Sequence, residues 1–350
     1  MRYICLLLAA QLWAADQLAL RGLDPLRLIV GVEAPGREDL TESRAGFLYR
    51  FESEASRAEF RRVPQRYEIQ WEGACGKMGP ASGAGSPDRW LVHDGRIFVF
   101  ASDGCKRTFG ANPAAHLERV ETAPPYTKAQ STEARKLLDK AARYISPSLD
   151  NLGTLHIRWE TDSEKKKYAH THRAYWFRFP DEARHDDEYA EWGAESHRLT
   201  ASAAAIVTPS SSTPMTPSAR TVIHRDLAVE LIPLLRTRSQ PGFETWQQSP
   251  GRIGIAFRGA IRTLDIDEAT GEIRRISYRG RGPGGPFGEI TETYSAWQSA
   301  GGLRLPHRVE TTLNAKPWPA RNLRMVKAEV NNTLDATVFQ AGGNASANTR

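Results

Sequence analysis

The sequence predicts an α+β protein in two parts: a small α+β module, then a larger domain of antiparallel strands and a few helices. Three observations carry this expectation. At 350 residues the chain exceeds one average domain, and two is the natural number. Near the N-terminus, segment 46–67 aligns without gaps on segment 95–116, 49 residues later. Beyond Leu152, short stretches of alternating apolar and polar residues follow one another across turns such as "EATGE", "GRGPGGPFG" and "SAGG". Such close spacing favours hairpin-linked antiparallel strands over parallel crossovers.

The opening "MRYICLLLAAQLWAAD" sets Arg2 before an apolar run from Ile4 to Ala15, with Ala14 and Ala15 ahead of Asp16. This is the pattern of a secretory signal peptide over residues 1–15, too short to span a bilayer comfortably. Its removal would take Cys5 away and leave Cys75 and Cys105 outside the reducing cytosol, in a periplasmic or secreted protein. No later stretch has the length of a membrane span. Lys and Arg exceed Asp and Glu by 47 − 41 = 6, scattered along the chain rather than gathered into a tract. That argues against nucleic-acid binding and leaves association with an anionic membrane surface open.

From residue 20 to 122 the chain reads as one module. In each copy of the repeat, alternating apolar positions mark a strand, and Ser53 or Ser102 offers an N-cap to a short helix carrying Phe60 or Phe109. Pro64 or Pro113 then stops the helix. One such unit cannot bury both its faces, so the two are expected to pair into a core. The spacing of Tyr49, Phe51, Ser53, Phe60, Pro64 and Tyr67 resembles the YHS domain, a module related to treble-clef-like metal-binding families. The second copy keeps Phe100, Ser102, Cys105, Phe109 and Pro113, and "CGKMG" is similar to that family's Cys-Gly-Met turn. Metal-binding members carry cysteines where this chain has Glu52, Ser56 and Ala101. Two thiolates fall short of a closed tetrahedral site; Asp103, His93 and His116 are the residues that could complete one. A Cys75–Cys105 disulfide, a thiophilic transition-metal site and two free thiols all remain open, while the lack of a Cys-x-x-Cys spacing or an evident base argues against a catalytic cysteine.

Residues 123–132 read as a proline-bearing linker running into a helix capped by Ser131, with Ala134, Leu137, Leu138, Ala141 and Ala142 on its apolar face. In the following domain "TLHIRWE", "YAHTHRAYWFRF" and "RLTASAAAIV" alternate as strands, and "DLAVELIPLLRTRS" reads as a helix interrupted by Pro233. The segment "DEARHDDEYAEWGAE" reads as an exposed acidic connection, and "TPSSSTPMTPSA" (208–219) as a flexible loop. Asp267, Gly271, Tyr294, Trp297, Gly302, Pro306, Asn331 and Phe339 resemble the closing strands of the LolA/RseB-type lipoprotein-carrier superfamily. The resemblance covers residues 133–340 and implies a curved antiparallel half barrel wrapped around helices, with an apolar cavity between sheet and helices and a lid loop at its mouth. Residues 341–350 are expected to be a disordered tail.

His170 and His172 lie two apart on one strand, a pattern compatible with a metal pair, and His185 follows. "GRGPGGPFG" lacks the lysine and helix of a phosphate loop, and no Gly-x-Ser-x-Gly signature occurs. The expected protein is therefore a non-enzymatic secreted or periplasmic binder. Its half barrel would hold an apolar ligand or an envelope protein, with the YHS-like module as an interaction unit and no cofactor. The alternative is a metal-handling protein that uses Cys75 and Cys105, with the half barrel as scaffold.

Overall fold

The computed structural model describes residues 16–161, 170–189 and 193–341. The expected signal peptide with Cys5, and the tail from 342 onward, lie outside the described residues. Two compact units form: one from residues 16–77 and 82–113, the other from 78–81 and 114–341.

The first unit is built twice from one plan. Hairpin β2 (Arg37–Arg44)–β3 (Phe47–Phe51) precedes α2 (Glu54–Arg62) and α3 (Pro64–Tyr67). Hairpin β4 (Ser86–His93)–β5 (Arg96–Phe100) precedes α4 (Asp103–Ala111). The repeat extends well beyond the stretch visible as sequence similarity. Both hairpins shift register at the same place, between Arg37 and Thr41 and between Ser86 and Trp90. Both turn through two residues of positive φ, Ala45–Gly46 and Asp94–Gly95, the twist that suits a tight hairpin. Ser53 Oγ accepts the Ser56 N–H at 3.2 Å and Ser102 Oγ the Cys105 N–H at 3.1 Å, so both expected caps form. Phe60 packs on Tyr49 and Phe51 at centroid distances of 4.9 and 5.1 Å; Phe109 packs on Phe98 and Phe100 at 5.2 Å each. Gly36 and Gly85 are equivalent too: a Cβ would lie 2.6 Å from the Phe51 nitrogen or 2.7 Å from that of Phe100.

The duplication even reaches the segments before each hairpin, with an offset of 51. Strand β1 (Gln17–Leu18) runs parallel to β3, and Leu20, Arg21 and Gly22 form a left-handed corner before α1 (Pro25–Leu28). Trp71, Glu72 and Gly73 form the same corner before Cys75, which bridges Val99 in parallel.

In the second unit, α5 (Lys128–Ile145) begins one turn earlier than the sequence suggests. Thr127 is the cap, in a reciprocal capping box with Gln130, and Ser131 lies inside the helix. Strands β6 (Thr154–Thr161), β7 (His170–Arg178), β8 (Glu182–Tyr189), β9 (Gly193–Leu199), β10 (Ala204–Val207) and β11 (Ser212–Pro214) follow. Then come α6 (Pro217–Ala228), α7 (Leu231–Arg236), β12 (Glu244–Ser249), β13 (Arg252–Phe257), β14 (Ala260–Ile266) and β15 (Ile273–Arg281). Strands β16 (Phe287–Ala300), β17 (Leu303–Leu313), β18 (Lys316–Pro317) and β19 (Leu323–Val330) complete one curved antiparallel sheet of fourteen strands. Its order is β11-β10-β9-β8-β7-β6-β19-β17-β16-β15-β14-β13-β12, with β18 on β17. One face buries Leu138, Ala142 and Ile145 of α5 and Ile223, Leu227, Leu234 and Leu235 of α6 and α7 against sheet residues such as Ile157, Phe177, Ile255 and Leu305. The half-barrel expectation is met at this level.

Several sequence readings are corrected. "RLTASAAAIV" is two strands, β9 and β10, across a turn at 200–203. The helix read over 226–239 is two, broken between Ala228 and Leu231, and α6 begins at Pro217 inside the segment read as flexible; Ser212–Pro214 in that segment is a strand. The "acidic connection" contains β8, an interior strand. Arg184 and Asp186, two apart on one face of β8, pair at 2.5 Å, and the register with β7 sets Asp187 beside Arg173 at 2.8 Å, so these largely buried carboxylates are neutralised rather than solvated.

Candidate functional site

The duplication gives the two cysteines a context that the sequence does not. In the first half, Asp24 is fully buried, and its Oδ2 accepts the Glu52 N–H at 2.8 Å while Oδ1 accepts the Leu26 N–H at 2.8 Å. In the second half Cys75 takes the place of Asp24, its Sγ facing the Ala101 N–H at 3.5 Å; Glu52 and Ala101 are equivalent residues of the repeat. Cys105 likewise takes the place of Ser56. One half thus holds a carboxylate and a hydroxyl beside its helix start, and the other holds two thiols. Cys75 is buried and Cys105 half-buried, and both stand as free cysteines. Burial alone would raise the Cys105 thiol, yet hydrogen bonds from Ser102 and Cys75 and the charge of Lys77 hold it below its ordinary value.

The residues that could have completed a metal set are elsewhere or engaged. Asp103 pairs with Arg89 at 3.0 Å, His93 stands 3.3 Å from Asp94 with its ring against Phe109, and His116 is buried in the other unit. His172 lies 3.1 Å from Glu188 and 3.8 Å from Glu160; the strand places His170 but its side chain is outside the described residues. His185 faces Asp187 at 3.3 Å. Among the described residues, no three His, Cys, Asp or Glu side chains converge as a metal site requires.

The sheet–helix seam of the second unit holds the other candidate. A void of about 60 Å³ lies between Ile157 and Tyr175 on the sheet, Ile232 and Pro233 of α7, and Leu305 and Val309 of β17. Its wall is mostly apolar, and Arg173, Glu230 and Glu292 supply its polar part. Arg173 is tied to Asp187, and Glu292 accepts the hydroxyls of Tyr278 and Tyr294 at 2.8 and 2.9 Å. Glu230, at the N-cap position of α7, accepts the Tyr175 hydroxyl at 3.5 Å. Burial, followed by repulsion from Glu292, raises its carboxyl to about 7. Burial and the same two carboxylates push the Tyr294 hydroxyl well above its ordinary value. Sequence reasoning missed this group. Glu230 and Glu292 are 62 residues apart, and the packing of α7 against the sheet brings the start of that helix to Glu292 on β16.

Neither a protein-family model nor a curated protein matches the chain. Among solved structures it is similar to a LolA superfamily protein from Nitrosomonas europaea (12% identity, TM-score 0.39), covering 59% of this chain and 97% of that one. It is similar to a DUF1329 family protein from Desulfovibrio piger (8%, 0.31; 59% and 97%) and to lipoprotein LppX from Mycobacterium tuberculosis (14%, 0.27; 57% and 98%).

Proposed function

We propose that this is a non-enzymatic binding protein of the periplasm or cell exterior, whose half barrel takes an apolar or amphiphilic ligand between its sheet and α7. The observation that carries the reading is the apolar void at that seam, in a core otherwise closed by long aliphatic and aromatic side chains. Well-packed interiors leave few gaps larger than one water. At about 60 Å³ this one has room for a few waters and not for a long acyl chain, so a chain-like ligand enters by displacing α7. That helix is short, and Pro233 within it lacks a backbone N–H. The first unit would serve as the interaction module, on the strength of its YHS-like spacing, and export rests on the apolar run before Asp16.

The test is titration with a long-chain fatty acid carrying an environment-sensitive fluorophore, alongside native mass spectrometry of the purified protein. Wild type should bind saturably, and Ile157→Trp and Leu305→Trp should weaken binding at least tenfold while keeping the far-ultraviolet dichroism. Absence of binding, or equal binding by both filled variants, overturns the reading.

A further inference from the structure

Helix α6 has two faces of opposite character. Ala219, Ile223 and Leu227 point into the core, while Arg220, Thr221, His224 and Arg225 line an open cleft of about 650 Å³. The turn 200–203 closes one side of this cleft, and Arg258, in the β13–β14 turn, closes another. Arg258 and Gly259 both have positive φ, and this tight turn carries the Arg258 guanidinium back to His224, with Nη1 at 2.7 Å from both ring nitrogens.

We propose that this cleft is a binding site for a phosphate-type anion, held by Arg220, Arg258 and His224. The charge balance is the reason. Arg225 is neutralised by Glu118 at 3.2 Å and Asp226 at 2.8 Å. Arg220 donates through Nη2 to the carbonyls of Thr200 and Ala201, and Arg258 meets His224 and the Phe257 ring. Among the described residues neither pairs with a carboxylate, and Asp181 is the acid at the cleft wall. Two guanidinium groups beside an imidazole repel one another unless an anion lies between them. Burial first, then Arg258 and Arg220, hold His224 below the usual histidine range, against a smaller opposing pull from Asp181. Guanidinium forks match the oxygens of phosphate, and such charge-assisted bonds are about twice as strong as neutral ones. This assignment is independent of the apolar void at α7, which shares no lining residue with the cleft.

A free phosphate ester and a phospholipid headgroup present the same chemistry, and two measurements separate them. Inorganic phosphate is titrated calorimetrically against the full chain at constant ionic strength. Co-sedimentation is then measured with phosphatidylcholine vesicles containing or lacking phosphatidylglycerol. Arg258→Gln and Arg220→Gln, both at the cleft surface, should each weaken binding on the order of tenfold, since each removes a charge-assisted hydrogen bond to the anion. Saturable phosphate binding lost in these variants supports a small-anion site. Variant-sensitive sedimentation specific to phosphatidylglycerol, without phosphate binding, supports the headgroup. If neither occurs, or if both variants bind as wild type does, the proposal is overturned.

Discussion

Asp24 is buried, and its carboxyl is hydrogen-bonded by backbone N–H groups. It accepts N–H groups from Glu52 and Leu26 and, at 3.4 Å, from Arg27, and so fastens α1 to the end of β3. Asp24→Ala leaves those donors without acceptors and should cost ~2–4 kcal/mol, read as a lower urea midpoint for the first unit. Asp24→Asn, with one acceptor oxygen, should fall between the two. In the second unit Glu230 acts in the opposite direction. Its folded pKa is raised from 4.5 to about 7, so the fold favours the protonated form. The stability this contributes is complete below the unfolded value and is lost as pH rises through the folded one. Glu230→Gln should therefore match wild type near pH 4 and gain on it by pH 8, on the order of 1–3 kcal/mol. Denaturant unfolding at the two pH values checks this, and a constant difference between the proteins would contradict it.

At the level of elements, the segment after β19 shows how the sheet's other face is covered. Leu334 to Phe339 lies across β7 and β8, where Val338 and Phe339 pack on Ala174 and Trp176. Arg178 donates to the Leu334 carbonyl and Arg198 to that of Gln340, at 2.5 and 2.7 Å. The Arg184 guanidinium stands 4.4 Å over the Trp176 ring, which stacks on His156 at 4.5 Å. Phe339→Ala should cost about 3 kcal/mol and speed hydrogen exchange of β7 and β8 amides before those of β13 and β14. The caps and packing aromatics of the repeat and the turn at 282–286 were legible in the sequence because each is written within a few residues, as in Ser102 with Cys105, whereas the cap of α5 fell one turn earlier than read, at Thr127. The strand β8 was not legible, since its charges resemble a solvated segment until the register with β7 pairs Arg173 with Asp187. The splitting of 193–207 into two strands was hidden for a related reason, because Thr200 and Ala203 close that turn by bonding each other without glycine or proline.

Across the whole molecule, local signals identified the classes of structure and long-range ones decided the candidate sites. The 49-residue repeat was visible wherever both copies kept the same residue types, as at Phe60 and Phe109. Its continuation through 20–24 and 71–75 was not visible, because the offset becomes 51 and Asp24 has no chemical likeness to Cys75. The polar group at the void is assembled from β7, α7 and β16, so no window of sequence contains it. The anion cleft draws on α6 and two separate turns in the same way.

The duplicated unit also contains its own reference. Alkylating or oxidising agents can react with the Cys75–Cys105 corner, whereas the Asp24–Ser56 corner offers them no sulfur and otherwise shares its backbone frame. Spectral changes at β3 and α2 after such treatment would report damage to the whole unit, and changes confined to β5 and α4 would report chemistry at the thiols alone. A single protein sample thus carries both the responsive copy and its inert control.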